Sequence, residues 1–197
     1  MGRSAIHDRD EVLRASMELF WARGYHKTSL KDLERTLDMR PGSIYAAFGS
    51  KKALFRAALD RYATIGQEAL AVTMVKAPSP ISGLAAHVRM IGHLLSDGPP
   101  SRACMLVKTL LEAPDDDPML RQSVEKIIRE VETTFAAAFR DARDAGEIPS
   151  GSDPERLAAR LQASIFGLRA YAQRSDATET AGSLAEDIAL EIEAMAD

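Results

Sequence analysis

A single cysteine and a single tryptophan are the first limits this chain sets. With Cys104 alone, an intramolecular disulfide and any site built from several thiolates are excluded, in keeping with a reducing compartment. The four histidines, His7, His26, His87 and His93, show no ligand spacing. His87 and His93 fall about 120° apart around a helix rather than on one face, so no metal is expected. No apolar run approaches the roughly 18 residues that cross a bilayer. The stretch Met1 to Asp10 is polar and charged, unlike a secretory signal, so a cytoplasmic protein with no membrane partner is expected. Runs with period-two alternation are missing, which argues against strands. Also missing are a Ser/His/Asp spacing, a phosphate-cradling glycine loop and a paired-carboxylate pattern, so neither an enzyme nor a cofactor is expected.

What is present is ordinary in bulk and uneven along the chain. Hydrophobic residues at 46% and charged residues at 27% describe a globular protein. The formal net charge of -4 conceals an asymmetry. Residues 1–62 carry 12 Lys and Arg against 8 Asp and Glu, whereas the remainder carries 13 against 21. A basic head on an acidic body is the balance of a nucleic-acid-reading domain joined to one that reads none.

Helical periodicity runs from Asp8 onward and predicts an all-α chain of about nine helices. A first helix spans Arg9 to Arg23, opened by a capping box of Asp8 and Glu11, closed by Gly24, with Val12, Leu13, Leu19 and Phe20 on its apolar face. A second spans Leu30 to Leu37 behind the capping box Ser29 and Asp32. A third, Pro41 to Phe48, starts with a proline whose missing N–H has no intrahelical acceptor there and stops at Gly49. Ser50 caps a fourth from Lys51, which the prolines of Ala77 to Pro80 end. Further helices are expected at Ile81 to Leu95, Ser101 to Leu111, Pro118 to Ala145, Pro154 to Ala172 and Ser183 to Met195. Two domains follow: residues 1–50, a three-helix helix-turn-helix, and residues 51–197, a larger helical domain, with the helix from Lys51 bridging them. The acid run Asp115-Asp116-Asp117 reads as a solvated loop, and Phe20 and Trp21 as packing residues.

The tight turn Asp38-Met39-Arg40 between the second and third helices has helix-turn-helix geometry. Around it lie Thr28-Ser29-Leu30-Lys31-Asp32-Leu33 and Met39-Arg40-Pro41-Gly42-Ser43-Ile44-Tyr45-Ala46-Ala47-Phe48-Gly49-Ser50-Lys51-Lys52-Ala53-Leu54-Phe55. Together with Leu19-Phe20 and Gly24-Tyr25 this pattern resembles the DNA-binding domain of the tetracycline-repressor (TetR) family over residues 9 to 60. The resemblance implies a homodimeric transcriptional regulator, in most members a repressor, that binds a palindromic operator in double-stranded DNA and is released by a small-molecule or redox effector.

The chemistry of the motif agrees. Gly42 lets backbone approach a phosphate at the anion-attracting end of a helix. Small residues at Ser43, Ala46 and Ala47 let the third helix enter a major groove about 12 Å wide. Ile44 and Phe48 are expected to face inward onto Leu33, Leu37 and the first helix. Tyr45 is expected to point outward, its ring toward a thymine methyl and its hydroxyl toward a phosphate. The family places a lysine on the DNA backbone where this chain has Lys51. Thr28, Ser29 and Lys31 are expected on the opposite flank, and Arg40 at the groove edge, with Pro41 beside it. The chain departs from the family in having Asp38 where many members have glycine and Arg40 where many have a Ser or Thr cap. Aspartate tolerates the left-handed conformation, so the turn is expected to survive.

Leu157, Leu161, Ile165 and Leu168 form one apolar stripe, and Leu184, Ile188, Ile192 and Met195 another; they are expected to meet their symmetry mates in a four-helix dimer interface or, alternatively, to face their own core. His87, Met90, Met105, Phe135 and Phe139 are candidates for lining an effector pocket. Cys104 joins them, because Arg102 to Val107 resembles a segment from one branch of the family in which a cysteine near the pocket is frequent; it is read either as a buried small hydrophobe or as a redox sensor. The competing function is a helical protein-interaction module without specific DNA binding.

Overall fold

The computed structural model describes residues 9–98, 101–112 and 117–196; the expected cap at Asp8 and most of the acid run Asp115-Asp116-Asp117 lie outside them. The described residues form nine α-helices and no strand. They are α1 (Arg9–Arg23), α2 (Leu30–Leu37), α3 (Pro41–Phe48), α4 (Lys51–Lys76), α5 (Pro80–Ser96), α6 (Met105–Glu112), α7 (Pro118–Asp144), α8 (Pro154–Tyr171) and α9 (Thr178–Glu193). The chain divides into two compact units between Thr64 and Ile65, inside α4.

The first unit is built on short helices stopped and started by local chemistry. Gly24, at φ +80°, turns the chain out of α1 while its N–H donates to the Phe20 carbonyl at 2.7 Å. Ser29 then opens α2 with a complete capping box: its side chain accepts from the Asp32 N–H, and the Asp32 carboxylate accepts from the Ser29 N–H. Asp38, at φ 49°, is the only non-glycine residue with positive φ among the described residues, and it makes the turn between α2 and α3. Pro41 occupies the first turn of α3. Val12, Ser16, Met17, Phe20 and Trp21 are the buried face of α1, whereas Leu13 and Leu19 are half-buried. The Phe20 ring packs edge-on against Phe55 at 5.0 Å, and Trp21 packs edge-on against Tyr62 at 5.1 Å. These aromatics are packing residues, each pair contributing about 0.5–1.5 kcal/mol beyond the area it buries.

In the second unit α5 runs along α9, α7 along α8, and α5 also meets α7. Leu84, Val88, Ile91, Leu95, Phe135 and Phe139 form the middle of its core. Complete burial of one such side chain is worth roughly 1.5–3 kcal/mol. Arg89 on α5 holds two carboxylates of α9 at once, Glu186 at 2.8 Å and Glu193 at 2.5 Å. Glu147, beyond α7, accepts from the Ile81 N–H at 3.2 Å and from the Ser79 hydroxyl, so it caps α5 across the fold.

Two helix starts fall four or more residues from expectation, while the other limits of the second unit shift by two at most. α6 starts at Met105 rather than Ser101. With its amide oxygen turned toward residues 101–103, Gln173 accepts from the Arg102 and Ala103 N–H groups, and Arg102 Nε donates to the Leu95 carbonyl at 3.2 Å. Those bonds take the donors and fix the approach to the helix. α9 starts at Thr178 rather than Ser183, because buried Ala177, Ala181 and Ala185 continue the core face back beyond Ser183.

The apolar stripes of α8 and α9 also turn out differently. Leu161, Ile165, Leu168 and Ile192 are buried in the core of their own chain, and Leu157, Leu184, Ile188 and Met195 are partly buried against it. Leu161, Ile165, Leu168 and Ile192 follow the alternative reading and face their own core, so the expectation that these four form a surface for a second copy is corrected.

Candidate nucleic-acid interface

The outward face of α3 is small and open. Gly42, Ser43, Ala46 and Ala47 are exposed, and Tyr45 is 44% exposed, whereas Ile44 is fully buried. A Cβ built on Gly42 has nothing within 4 Å, so packing does not demand a glycine there. Behind α3, Leu33 and Leu37 are buried with Ile44. Phe48 is only half-buried, and its ring carries the Arg9 guanidinium 5.2 Å from its centroid. Arg40 is exposed and makes no side-chain cap, so its guanidinium is not spent on holding α3.

At the start of α4, Lys51 Nζ lies 4.3 Å from the centroid of the Tyr25 ring, and partial burial lowers its pKa. Tyr25 packs in turn on Phe55 at 4.9 Å. The aromatic ring pre-positions the ammonium, which lowers the entropy lost when it meets an anion. On the other flank Ser29 and Lys31 are exposed. Thr28 is fully buried with its hydroxyl donating to the Gly24 carbonyl at 2.7 Å. Its side chain is committed to the corner between α1 and α2 and is not offered to a ligand, which corrects its place among the contact residues.

Asp32 is the electrostatic anchor of this flank. Its carboxylate accepts from the Ser29 hydroxyl at 2.6 Å, from Arg23 at 2.8 Å and from Arg35 at 2.8 Å. The bonds from Ser29, reinforced by Arg23, hold its pKa down at about 2. Sequence reasoning found the Ser29–Asp32 cap but missed the two arginines, since Arg23 is nine positions from Asp32 and reaches it only through the fold.

In the second unit His87, Cys104, Met105, Phe135 and Phe139 are buried and Met90 is half-buried against the core. His87 lies 6.0 Å from Phe135, ring to ring. Burial, with the Arg169 charge nearby, lowers its pKa to about 4. Gln162 and Arg169 were missed. Their signal was polar residues at helical spacing within the apolar stripe of α8. No group of three or more His, Cys, Asp or Glu among the described residues is arranged to hold a metal ion. No helix of the described residues is long and apolar enough to cross a membrane.

Three helices, a left-handed turn before the third, and a small-residue outer face flanked by cations define a helix-turn-helix DNA-reading regulator. Residues 12–58 match the family "Bacterial regulatory proteins, tetR family", and residues 80–186 match "Tetracyclin repressor-like, C-terminal domain". The chain belongs to the TetR family of DNA-binding transcriptional regulators. It is 28% identical over 179 residues to the transcriptional repressor ComR of Escherichia coli, covering 90% of this chain and 85% of that one. It is 30% identical over 156 residues to the regulator YezE of Bacillus subtilis, covering 79% of each. Among solved structures, a cysteine variant of the TetR family regulator CifR, complexed with 26-base-pair operator DNA, superposes with a TM-score of 0.85 at 29% identity, covering 96% of this chain and 98% of that one.

Proposed function

We propose that the chain is a homodimeric repressor whose α3 enters successive major grooves of a palindromic operator. The observation that carries this reading is the pairing of a fully buried Ile44 with an outward face of Gly42, Ser43, Tyr45, Ala46 and Ala47 that no part of the first unit covers. Gly42 and the α3 amides meet a phosphate, Tyr45 and Arg40 lie against base edges or backbone, and Lys51, Ser29 and Lys31 clasp the flanking phosphates. An arginine placed bidentately on guanine adds about 1–3 kcal/mol of discrimination.

Dimerisation uses the side of α8 and α9 turned away from the core. There α8 exposes Ala159, Ala163, Gly167 and Ala170 beside half-buried Phe166, and α9 exposes Leu190. Small residues allow two helices to approach closely, and the aromatic and the leucine supply the apolar area. The second unit receives a small-molecule effector that favours the DNA-incompetent state, since a ligand with equal affinity for both states shifts nothing.

The test is selection of bound sites from random duplex DNA by the purified full chain, with the mass of the complex measured in parallel. A two-fold symmetric site with half-sites about 34–36 Å apart and two chains per site is expected. Recovery of no consensus would sink the reading.

A further inference from the structure

Three side-chain atoms of the second unit are sealed from solvent without a hydrogen-bond partner: His87 Nδ1 on α5, and Gln162 Oε1 and Arg169 Nη1 on α8. A buried polar group left unmet costs about 1–3 kcal/mol, and a charged one more. Native chains leave few of them, and this unit places one on α5 and two on one helix of the same core.

The chemistry of each atom states what is missing. Arg169 remains a cation and can only donate, and among the described residues no carboxylate pairs with it. It is close enough to His87 to act on it electrostatically. Neutral His87 can carry its proton on either ring nitrogen, and the tautomer with the proton on Nδ1 makes that atom a second donor. A charged donor beside a ring nitrogen that can present a second one is matched by an anionic acceptor. Gln162 is the reverse: its Nε2 is spent on the Ile128 carbonyl at 3.1 Å, which leaves the side-chain oxygen as an acceptor. Seven residues separate Gln162 from Arg169 along α8, about 10.5 Å of rise on nearly the same face. Ile165 and Leu168, both buried, lie between them, and the Phe135 ring stands beside His87.

Resting on the reading above that this unit receives an effector, we propose that the effector is an apolar organic acid whose carboxylate takes the Arg169 and His87 donors. Its elongated apolar body runs along Ile165 and Leu168, and a hydroxyl at its far end donates to Gln162 Oε1. Burial, and then the Arg169 charge, press the His87 pKa down to about 4; a carboxylate between the two cation-forming groups opposes both effects.

The probes are 6-hydroxy-2-naphthoate and octanoate, each beside its neutral carboxamide, titrated into the full chain by calorimetry and thermal melting. At least one acid should bind saturably and raise the melting temperature, and its carboxamide should bind roughly tenfold to a hundredfold more weakly, as loss of a charged hydrogen bond implies. Arg169→Met should lose affinity by a similar factor while retaining helicity and duplex binding. Arg169→Lys should recover part of it. In the wild type, saturation with the acid should raise the His87 pKa followed by NMR, a readout that does not depend on any variant folding. Binding by neither acid, equal binding by the carboxamide, or an unmoved His87 titration overturns the proposal. Duplex binding is scored separately: a chain that selects an operator but ignores both acids fails this inference alone, whereas a chain that selects no duplex fails the functional reading beneath it.

Discussion

Gly92 on α5 and Ala185 on α9 approach so closely that a Cβ on Gly92 would stand 2.6 Å from the Ala185 Cβ. Neither neighbour is a flexible side-chain end able to swing aside. Gly92→Ala should gain about 0.5–1 kcal/mol of helix propensity and lose about 1–3 kcal/mol to overpacking, a net loss on the order of 1–2 kcal/mol. Combination with Ala185→Gly should recover part of that loss, and the coupling can be read from denaturant midpoints of the two single variants and the double. Simple additivity would show that the contact does not hold α5 against α9.

Gly42 presents the opposite case. Nothing lies within 4 Å of a Cβ placed there, so Gly42→Ala should fold and be as stable as the parent or slightly more so, by up to about 1 kcal/mol. If α3 meets a phosphate as proposed, operator affinity should nonetheless fall, because the added methyl group would stand between that phosphate and the α3 amides. Unchanged affinity in a mobility-shift titration would remove Gly42 from the interface.

Tyr45 and Lys51 are expected to separate two kinds of contact. Lys51→Ala should weaken binding to every duplex alike and lower the slope of log K against log salt by about 1. Tyr45→Ala should cost affinity mainly on the selected site, by about 1–3 kcal/mol, and should flatten the preference at one base position. If both variants changed the slope and neither changed the preference, Tyr45 would be a backbone contact only.

Asp32 and His87 place two acid-labile elements in different pH windows. The Asp32 carboxyl is held down at about 2 in the fold, below its ordinary 3.8, so the stability it adds is complete above about pH 4 and is lost as the pH falls through 2. The gap in melting temperature between wild type and Asp32→Asn should therefore close between those values. Ser29→Ala should cost about 0.5–2 kcal/mol at neutral pH through the same cap.

His87 titrates at about 4 against 6.5, so folding favours its neutral form, and that contribution is full above pH 6.5 and lost as the pH falls to 4. Relative to His87→Met, the wild type should lose stability over that interval, by roughly 3 kcal/mol at most. Parallel pH profiles for the two proteins would mean that His87 is not sealed in the core.

Most of the first unit was legible in the sequence because its boundaries are set locally. Gly24, the Ser29–Asp32 box, Asp38 and Pro41 each act within four residues of themselves, and the helix limits they dictate were read to the residue. Thr28 was misplaced because a hydroxyl beside a cap looks available until the Gly24 carbonyl is seen to take it. In the second unit, periodicity showed that α8 and α9 each have an apolar stripe but not whether a stripe faces its own chain or another; burial decides that, and burial is a property of the whole fold. The start of α6 was missed because it depends on Gln173, distant in sequence and brought to residues 101–103 by the end of α8. Gln162 and Arg169 stood out in α8 as exceptions, and what makes them informative is one buried atom on each, Oε1 and Nη1, without a hydrogen-bond partner.

The carboxylate of Asp32 holds Arg23, the last residue of α1, while the hydroxyl and backbone amide of Ser29 fix that carboxylate in the first turn of α2. Any rearrangement that pulled these two helices apart would have to break the Arg23 link, while the Ser29 bonds would stay with α2. A carboxylate already fixed by its own helix cap gives Arg23 a set place to dock, so the join resists reshaping more than a free ion pair would.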